Sequence, residues 1–207
     1  MIDYIKKNNK KIIIILLLII ISIITIKVVA NKPLVIDNIG YNIFVKKLRN
    51  PTLTSIMKII TRFSNSEGII LFTLLSLIYI KNKKIAITVP LNVLLATLLN
   101  QILKHLFRRS RPTYRLIKIG GFSFPSGHAM ISMAFYGYLL YLTYIHIKNK
   151  NQRRIIMTIL SIIIILVGIS RIYLGVHYCS DIITGYSISI IYLIGYTKLL
   201  KKLKIPK

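Results

Sequence analysis

Apolar residues along this chain come in long blocks with little polar alternation inside them, and basic residues punctuate the gaps. Six blocks stand out, at residues 12–30, 69–80, 85–103, 129–147, 155–167 and 182–200. A helix needs about 20 apolar residues to cross the hydrocarbon core of a bilayer, a length the first, third, fourth and sixth blocks approach. The second and fifth need their flanks, the fifth by continuing through Gly168 to Tyr173. Soluble core helices are the alternative for any one short block, but six in succession without an amphipathic face leave little surface for water. Ser64 and Glu67 have the spacing of a capping box, which predicts a helix starting near Asn65 and running to Lys81. Across residues 48–63, Leu53, Ile56, Met57, Ile59 and Ile60 recur among polar neighbours, as in a helix lying along a membrane interface or in a loop helix packed on the spans. The expected fold is all-α: an integral membrane helical bundle of six transmembrane helices, in a single domain over residues 1–207.

Composition sharpens the picture. The 207 residues are 55% apolar and 16% charged, against about 45–50% and about 25% in soluble domains. Thirty Lys and Arg against four Asp and Glu give a formal charge of +26. A nucleic-acid binder of that charge is normally rich in charged residues, whereas here the bases are concentrated between apolar blocks. The expected partner is a lipid bilayer and not nucleic acid. One cysteine, Cys179, permits neither an internal disulfide nor a cysteine zinc cluster. The acids Asp3, Asp37, Glu67 and Asp181 are scattered too widely to read as the converging carboxylates of a two-metal site. Chemistry without a metal or other cofactor is the expectation, and the sequence leaves the oligomeric state open.

Orientation rests on Lys and Arg in the short loops. Lys6, Lys7, Lys10 and Lys11, then Lys81, Lys83 and Lys84, then Lys148, Lys150, Arg153 and Arg154, then Lys198, Lys201, Lys202 and Lys204 share one face. That face reads as cytoplasmic, with both termini on it. The opposite face carries nearly as many bases, three of which have another use below. The first block, with lysines before it and Val28-Val29-Ala30 at its end, also resembles a cleavable signal peptide, but its length favours a retained anchor.

Three polar clusters sit at block ends, where ionisable residues are functional candidates. Lys104 is followed after six residues by Arg111-Pro112, which taken alone is also an ordinary basic helix end with a proline stop. Pro125-Ser126-Gly127-His128 opens the fourth block; its backbone N–H groups and the Ser126 hydroxyl form either an anion cradle or a plain helix cap. In the third cluster, Ser170-Arg171 precedes His177 and Asp181. His177 and Asp181 are four apart, so on a helix the carboxylate reaches the imidazole, whether for chemistry or as a satisfied core histidine.

Loop order brings all three clusters to one face, and together they resemble the signatures of the type 2 phosphatidic acid phosphatase (PAP2) family. Those signatures are Lys-x6-Arg-Pro, Pro-Ser-Gly-His and Ser-Arg-x5-His-x3-Asp, matched at every defining position between Lys104 and Asp181. Residues 1–100 are similar only in organisation. The resemblance implies a multi-pass cell-membrane phosphatase with its site on the outer face, acting on the phosphomonoester or pyrophosphate of a lipid through a phosphohistidine. In that scheme His177 attacks phosphorus, Asp181 holds the His177 ring N–H, and His128 protonates the leaving oxygen and then activates water. Lys104, Arg111, Arg171, the Ser126 hydroxyl and the Gly127 N–H bind the phosphate oxygens as a metal does elsewhere. Phosphatidylglycerophosphate, phosphatidate and undecaprenyl pyrophosphate all fit as the lipid phosphate substrate. The same signatures occur in vanadate haloperoxidases, which resemble soluble proteins, and the apolar content argues against them. A non-catalytic lipid-phosphate-binding membrane protein is the rival reading. Outside the motifs, Cys179 lacks the arginine six positions on that a cysteine phosphatase needs, Gly185 standing there. Arg108, Arg109 and Arg115 read as a solvated basic loop, and Asp181 as the only acid near any cluster.

Overall fold

A computed structural model describes residues 2–205 of the chain. The side chains of residues 2–8 and 10, with Lys6, Lys7 and Lys10 of the basic N-terminal group, lie outside the described residues. Every regular element among the described residues is helical: α1 Ile2–Val29, α2 Val35–Gly40, a π-helix Tyr41–Lys47, α3 Pro51–Arg62, α4 Ser66–Tyr79, α5 Lys83–Ala86, α6 Thr88–Phe107, α7 Gly127–His146, α8 Lys150–Tyr173 and α9 Cys179–Lys202. Asparagine side chains cap the starts of three of them. Asn50 Oδ1 accepts from Leu53 N at 2.8 Å with Pro51 in the first helical position, and Asn82 and Asn149 cap α5 and α8 in the same way.

Among the described residues, four segments are long and apolar enough to cross a membrane: Lys11–Val29, Lys83–Phe107, Lys150–Tyr173 and Cys179–Lys202. Apolar side chains cover their outer faces, among them Ile12, Ile15 and Leu16 of α1, Leu94, Leu98 and Ile102 of α6, and Ile155, Ile159 and Ile162 of α8. A soluble monomer does not expose so continuous an apolar surface, whereas hydrocarbon accepts it. The chain is a membrane protein.

The interior carries polar groups among its apolar side chains. α7 packs against α6, α8 and α9, and it buries Ala129, Ser132, Ala134, Phe135 and Tyr138. Small residues along it let neighbouring backbones approach. At Gly185 of α9 a Cβ would stand 3.0 Å from the Ser126 carbonyl oxygen and 3.1 Å from Ala129 Cβ. α6 carries Thr88, Asn92, Ala96, Asn100 and Lys104 at four-residue spacing, all buried, so they form one stripe. That stripe bonds to α7 and the loop before it. Thr88 Oγ1 pairs with Tyr138 Oη at 2.6 Å, Asn92 Nδ2 donates to the Ala134 carbonyl at 2.7 Å, and Asn100 Nδ2 donates to the Pro125 carbonyl at 3.2 Å. Polar groups in a bilayer have no water to turn to, so this ladder sets the register of α6 on α7 and with it the position of Lys104.

Several expectations are corrected. α4 starts at Ser66 after Asn65 but without a side-chain cap bond, and it ends at Tyr79, short of Lys81. The capping box does not form because Ser64 Oγ donates instead to the His128 carbonyl at 3.1 Å; Asn65, the residue before the helix, likewise turns to α7, its Oδ1 2.7 Å from His128 Nε2. With 14 residues, α4 is a shorter apolar helix. The third block breaks into the single turn α5 and the long α6. α3 packs on the end of α8, burying Met57 with Leu53 and Ile60 beside Tyr173 and Leu174, while Ile56 and Ile59 stay exposed.

Replacing Gly185 by Leu forces α9 away from the backbone at Ser126, at a cost of about 1–3 kcal/mol for overpacking. Thermal unfolding in detergent should show a lowered midpoint, and an unchanged midpoint would mean that the α7–α9 contact is not close-packed.

Candidate active site

α6 ends, α7 begins, α8 ends and α9 begins at the same end of the bundle, so the loops 108–126 and 174–178 meet there. The Leu116 amide donates to the Leu174 carbonyl at 2.9 Å and the Ser126 amide to the Asp181 carbonyl at 3.1 Å. Arg49 closes the same corner, donating to the carbonyls of Tyr114 at 2.9 Å and Tyr173 at 3.0 Å. Beneath these loops a cavity of about 340 Å³ is lined by Lys104, Arg111, Gly127, His128, Arg171 and His177. It continues among α4, α6 and α7 along Ile69, Ile70, Val93, Thr97 and Ile131. A larger hollow of about 600 Å³ near the ends of α1 and α6 is lined by none of those six.

His177 is 2% exposed, and its Nδ1 lies 3.2 Å from Asp181 Oδ2. An ionised carboxylate only accepts, so Nδ1 carries the proton and Nε2 keeps its lone pair. Arg111 Nη1 donates to that Nε2 at 3.1 Å. Burial, and then the charges of Arg171, Arg111 and Lys104, hold the His177 pKa well below the ordinary imidazole value. The ring is neutral, with its unprotonated nitrogen toward the cations. Burial also lowers the Arg111 pKa, although a guanidinium stays charged at any ordinary pH.

The cations are held from behind. Lys104 Nζ donates to the Phe122 carbonyl at 2.5 Å, and Arg111 donates to the carbonyls of Gly120, Gly121 and Val176. Arg171 is 1% exposed; its Nη1 donates to Thr61 Oγ1 at 2.5 Å, while Nε and Nη2 have no protein partner. A buried guanidinium with two N–H groups unspent beside a cavity fits an anion that accepts from both. At Gly127 a Cβ would meet Asn100 Oδ1 at 2.9 Å, so only glycine brings the start of α7 this close to α6.

Not every motif residue reaches the cavity. Ser126 is fully buried, caps α7 by accepting from the Ala129 amide at 3.4 Å, and is absent from the cavity lining. Asp181 stands behind His177. Three contributors had no motif to mark them. Asn65 meets the His128 ring, a contact across two helix starts that no local spacing announces. Arg109 is not a solvated loop residue: it bridges Asp181 Oδ1 at 2.6 Å and Asp37 Oδ2 at 2.8 Å. Asp37, 9% exposed, is therefore a second acid beside the site, which corrects the reading of Asp181 as the only one. Among the described residues, no group of three or more His, Cys, Asp or Glu side chains is placed to hold a metal ion.

A pocket of cations facing a neutral imidazole, sunk into one end of a lipid-facing bundle, is the organisation of an integral membrane protein built around an anion. The chain belongs to the PAP2 superfamily, whose family model matches residues 85–205. Phosphatidylglycerophosphatase B of Bacillus subtilis strain 168 is 38% identical over 96 residues, 45% of this chain and 47% of that protein, so the match spans about half of the relative. Undecaprenyl-diphosphatase of Sulfolobus acidocaldarius is 34% identical over 161 residues, 72% of this chain and 73% of the relative. Among solved structures, the transmembrane PAP2-type phosphatidylglycerolphosphate phosphatase from Bacillus subtilis superimposes with a TM-score of 0.75 at 26% identity, covering 94% of this chain and 97% of that one.

Because the His177 pKa is depressed, its ring stays neutral as the pH falls from about 8 to about 6, a range in which a free imidazole takes up its proton. Nitrogen NMR of histidine-labelled protein, with His177→Asn to assign the signal, checks this; protonation of His177 in that range would contradict the cationic surroundings.

Proposed function

We propose that this protein is a membrane lipid phosphatase that hydrolyses a phosphomonoester or pyrophosphate through a phosphohistidine on His177. The observation that carries the reading is the His177–Asp181 pair, with Nε2 of His177 free of its proton and pointed at Arg111 on the wall of a cavity shared with Lys104 and Arg171. An arriving phosphoryl oxygen takes the Arg111 N–H in place of Nε2, which releases the lone pair for in-line attack on phosphorus. As the N–P bond forms, the bond to the leaving oxygen breaks, and His128, protonated beside the bound phosphate dianion, passes a proton from its imidazolium to that oxygen. Positive charge developing on the His177 ring is met by Asp181 through Nδ1. Water then attacks phosphorus and gives a proton to the now neutral His128, the N–P bond breaks, and phosphate leaves with His177 neutral again and His128 once more an imidazolium. Lys104, Arg111, the unspent N–H groups of Arg171 and the Gly127 N–H at the start of α7 receive the phosphoryl oxygens. Ser126 serves by capping that helix. Three fixed cations supply the charge that a metal supplies in other phosphatases, and the scarcity of clustered metal donors supports a metal-independent reaction.

The apolar arm of the cavity along Ile69, Ile70, Val93 and Ile131 supports a substrate whose tail remains in hydrocarbon. The names of the relatives point to phosphatidylglycerophosphate and undecaprenyl pyrophosphate, with phosphatidate a third lipid of the same chemistry. In this reading the 207-residue chain forms one domain with six spans, α4 and α7 joining the four segments Lys11–Val29, Lys83–Phe107, Lys150–Tyr173 and Cys179–Lys202. Both termini are cytoplasmic and the site opens at the outer surface. The complete set of His177, Asp181 and His128 favours catalysis over lipid-phosphate binding alone.

Detergent-purified protein should release phosphate from a panel of these lipids with EDTA present. His177→Ala should be inert, and Asp181→Asn should lower turnover by about 100-fold or more with the fold intact. Activity lost to the chelator would remove metal independence, and activity kept by His177→Ala would remove the mechanism. A cysteine introduced at Gly120 on a Cys179→Ala background should be labelled from outside intact cells; labelling only after lysis would invert the orientation.

A further inference from the structure

Behind the His177–Asp181 pair lies a buried ionic bridge that the hydrolytic scheme does not use. Asp181 is fully buried and both its oxygens are engaged: Oδ2 takes the His177 ring N–H at 3.2 Å and the Tyr178 amide at 2.9 Å, while Oδ1 takes Arg109 Nη1 at 2.6 Å. The other nitrogen of the same guanidinium fork donates to Asp37 Oδ2 at 2.8 Å. Asp37 in turn accepts from the Ser180 amide at 2.8 Å and pairs with the Ser180 hydroxyl at 2.8 Å, and the Tyr178 ring stacks under the guanidinium at 4.0 Å. Neither Arg109 nor Asp37 lines the cavity that holds the imidazoles. Asp37 comes from α2, outside the residues 85–205 that match the family model.

On the reading that His177 is the nucleophile, we propose that Arg109 and Asp37 are positioning residues, a bridge from α2 that fixes the direction of the Asp181 carboxylate and sets how much of its charge His177 feels. Arg109 anchors Oδ1, which leaves Oδ2 aimed at Nδ1. Paired with Asp181 alone, the guanidinium would cancel the charge that must stabilise an imidazolium. Asp37 shares the guanidinium, so two carboxylates and one cation leave a net negative charge behind the ring. The other ionisable groups around His177 are Lys104 from α6, Arg111 from the loop after it, His128 from α7 and Arg171 from α8, and none is altered in the test below.

The test measures kcat, KM and pH profiles for Asp37→Asn, Arg109→Gln and Arg109→Lys, with His177→Ala as the control on the underlying reading. Removing the Asp37 charge lowers the pH at which His177 protonates, so the acid limb of kcat/KM moves down; removing the Arg109 charge moves it up. Arg109→Lys keeps the charge but cannot fork across two carboxylates, so kcat falls with the limb in place. In each case kcat drops by about 10- to 100-fold, as for other supporting partners of an active histidine, and KM is unchanged because neither residue touches the phosphate. A purely structural role would lower the yield of folded protein without moving the limb in opposite directions. If Arg109→Gln does not fold, Asp37→Asn and Arg109→Lys decide the matter. Wild-type kcat and pH profile in Asp37→Asn would overturn the proposal, and so would a raised KM with kcat kept in the Arg109 variants. An active His177→Ala would instead overturn the reading on which it rests.

Discussion

One carboxylate, Asp181, buried in the first turn of α9, constrains much of this end of the molecule. A charge so placed has no water to answer it, and leaving such a group without its partner costs about 3–5 kcal/mol. The surrounding chain is arranged to prevent that. The Tyr178 amide closes the turn onto it, His177 four residues earlier presents its ring N–H, and Arg109 arrives from the loop after α6. Because Arg109 also grips Asp37, the segment after α1 is drawn onto the start of α9, where Cys179 packs against Gly40. The same carboxylate that orients the imidazole therefore ties the N-terminal third of the chain to the region carrying the motifs.

The opposite side of His177 poses the reverse problem. Lys104, Arg111 and Arg171 repel one another, and they are held together only because carbonyls of the loop 120–122, the Val176 carbonyl and Thr61 take some of their N–H groups. Each cation stands on a different element, so their spacing is a property of the bundle. The polar ladder of α6 against α7 supplies the rigidity: hydrogen bonds from Asn92 and Asn100 are strong where water is excluded, and they place Lys104, which follows them on the same stripe one turn after Asn100. A site preorganised in this way spends no reorganisation when an anion enters. The end of α3 and the loop before α4 complete it, since Thr61 reaches Arg171, and Ser64 and Asn65 reach the backbone and ring of His128.

Much of this was legible in the residues. Long apolar blocks marked the helices, because hydrocarbon solvent rewards uniform hydrophobicity without regard to what packs where. Short-range chemistry was equally readable: four-residue spacing joined His177 to Asp181, and Ser126 was visible as a cap. Where local rules competed with a distant partner, they failed. Ser64 and Asn65 had the pattern of a helix start and spent their polar atoms on α7 instead. Arg109 looked like one more loop base beside Arg108 and Arg115, and Asp37 like an isolated acid, since nothing within a few residues of either identifies a partner 72 positions away.

By itself, then, the amino-acid order determined that the chain is helical and membrane-embedded, and which short motifs carry ionisable groups, since these follow from solvent preference and from spacing along one helix. Only the tertiary structure decided that α7 lies at the centre, that Ser126 turns away from the cavity and that Asp37 and Arg109 stand behind Asp181. Those outcomes depend on which buried charges and polar atoms find one another when separate helices pack, and pairing across long chain separations leaves no periodicity to read.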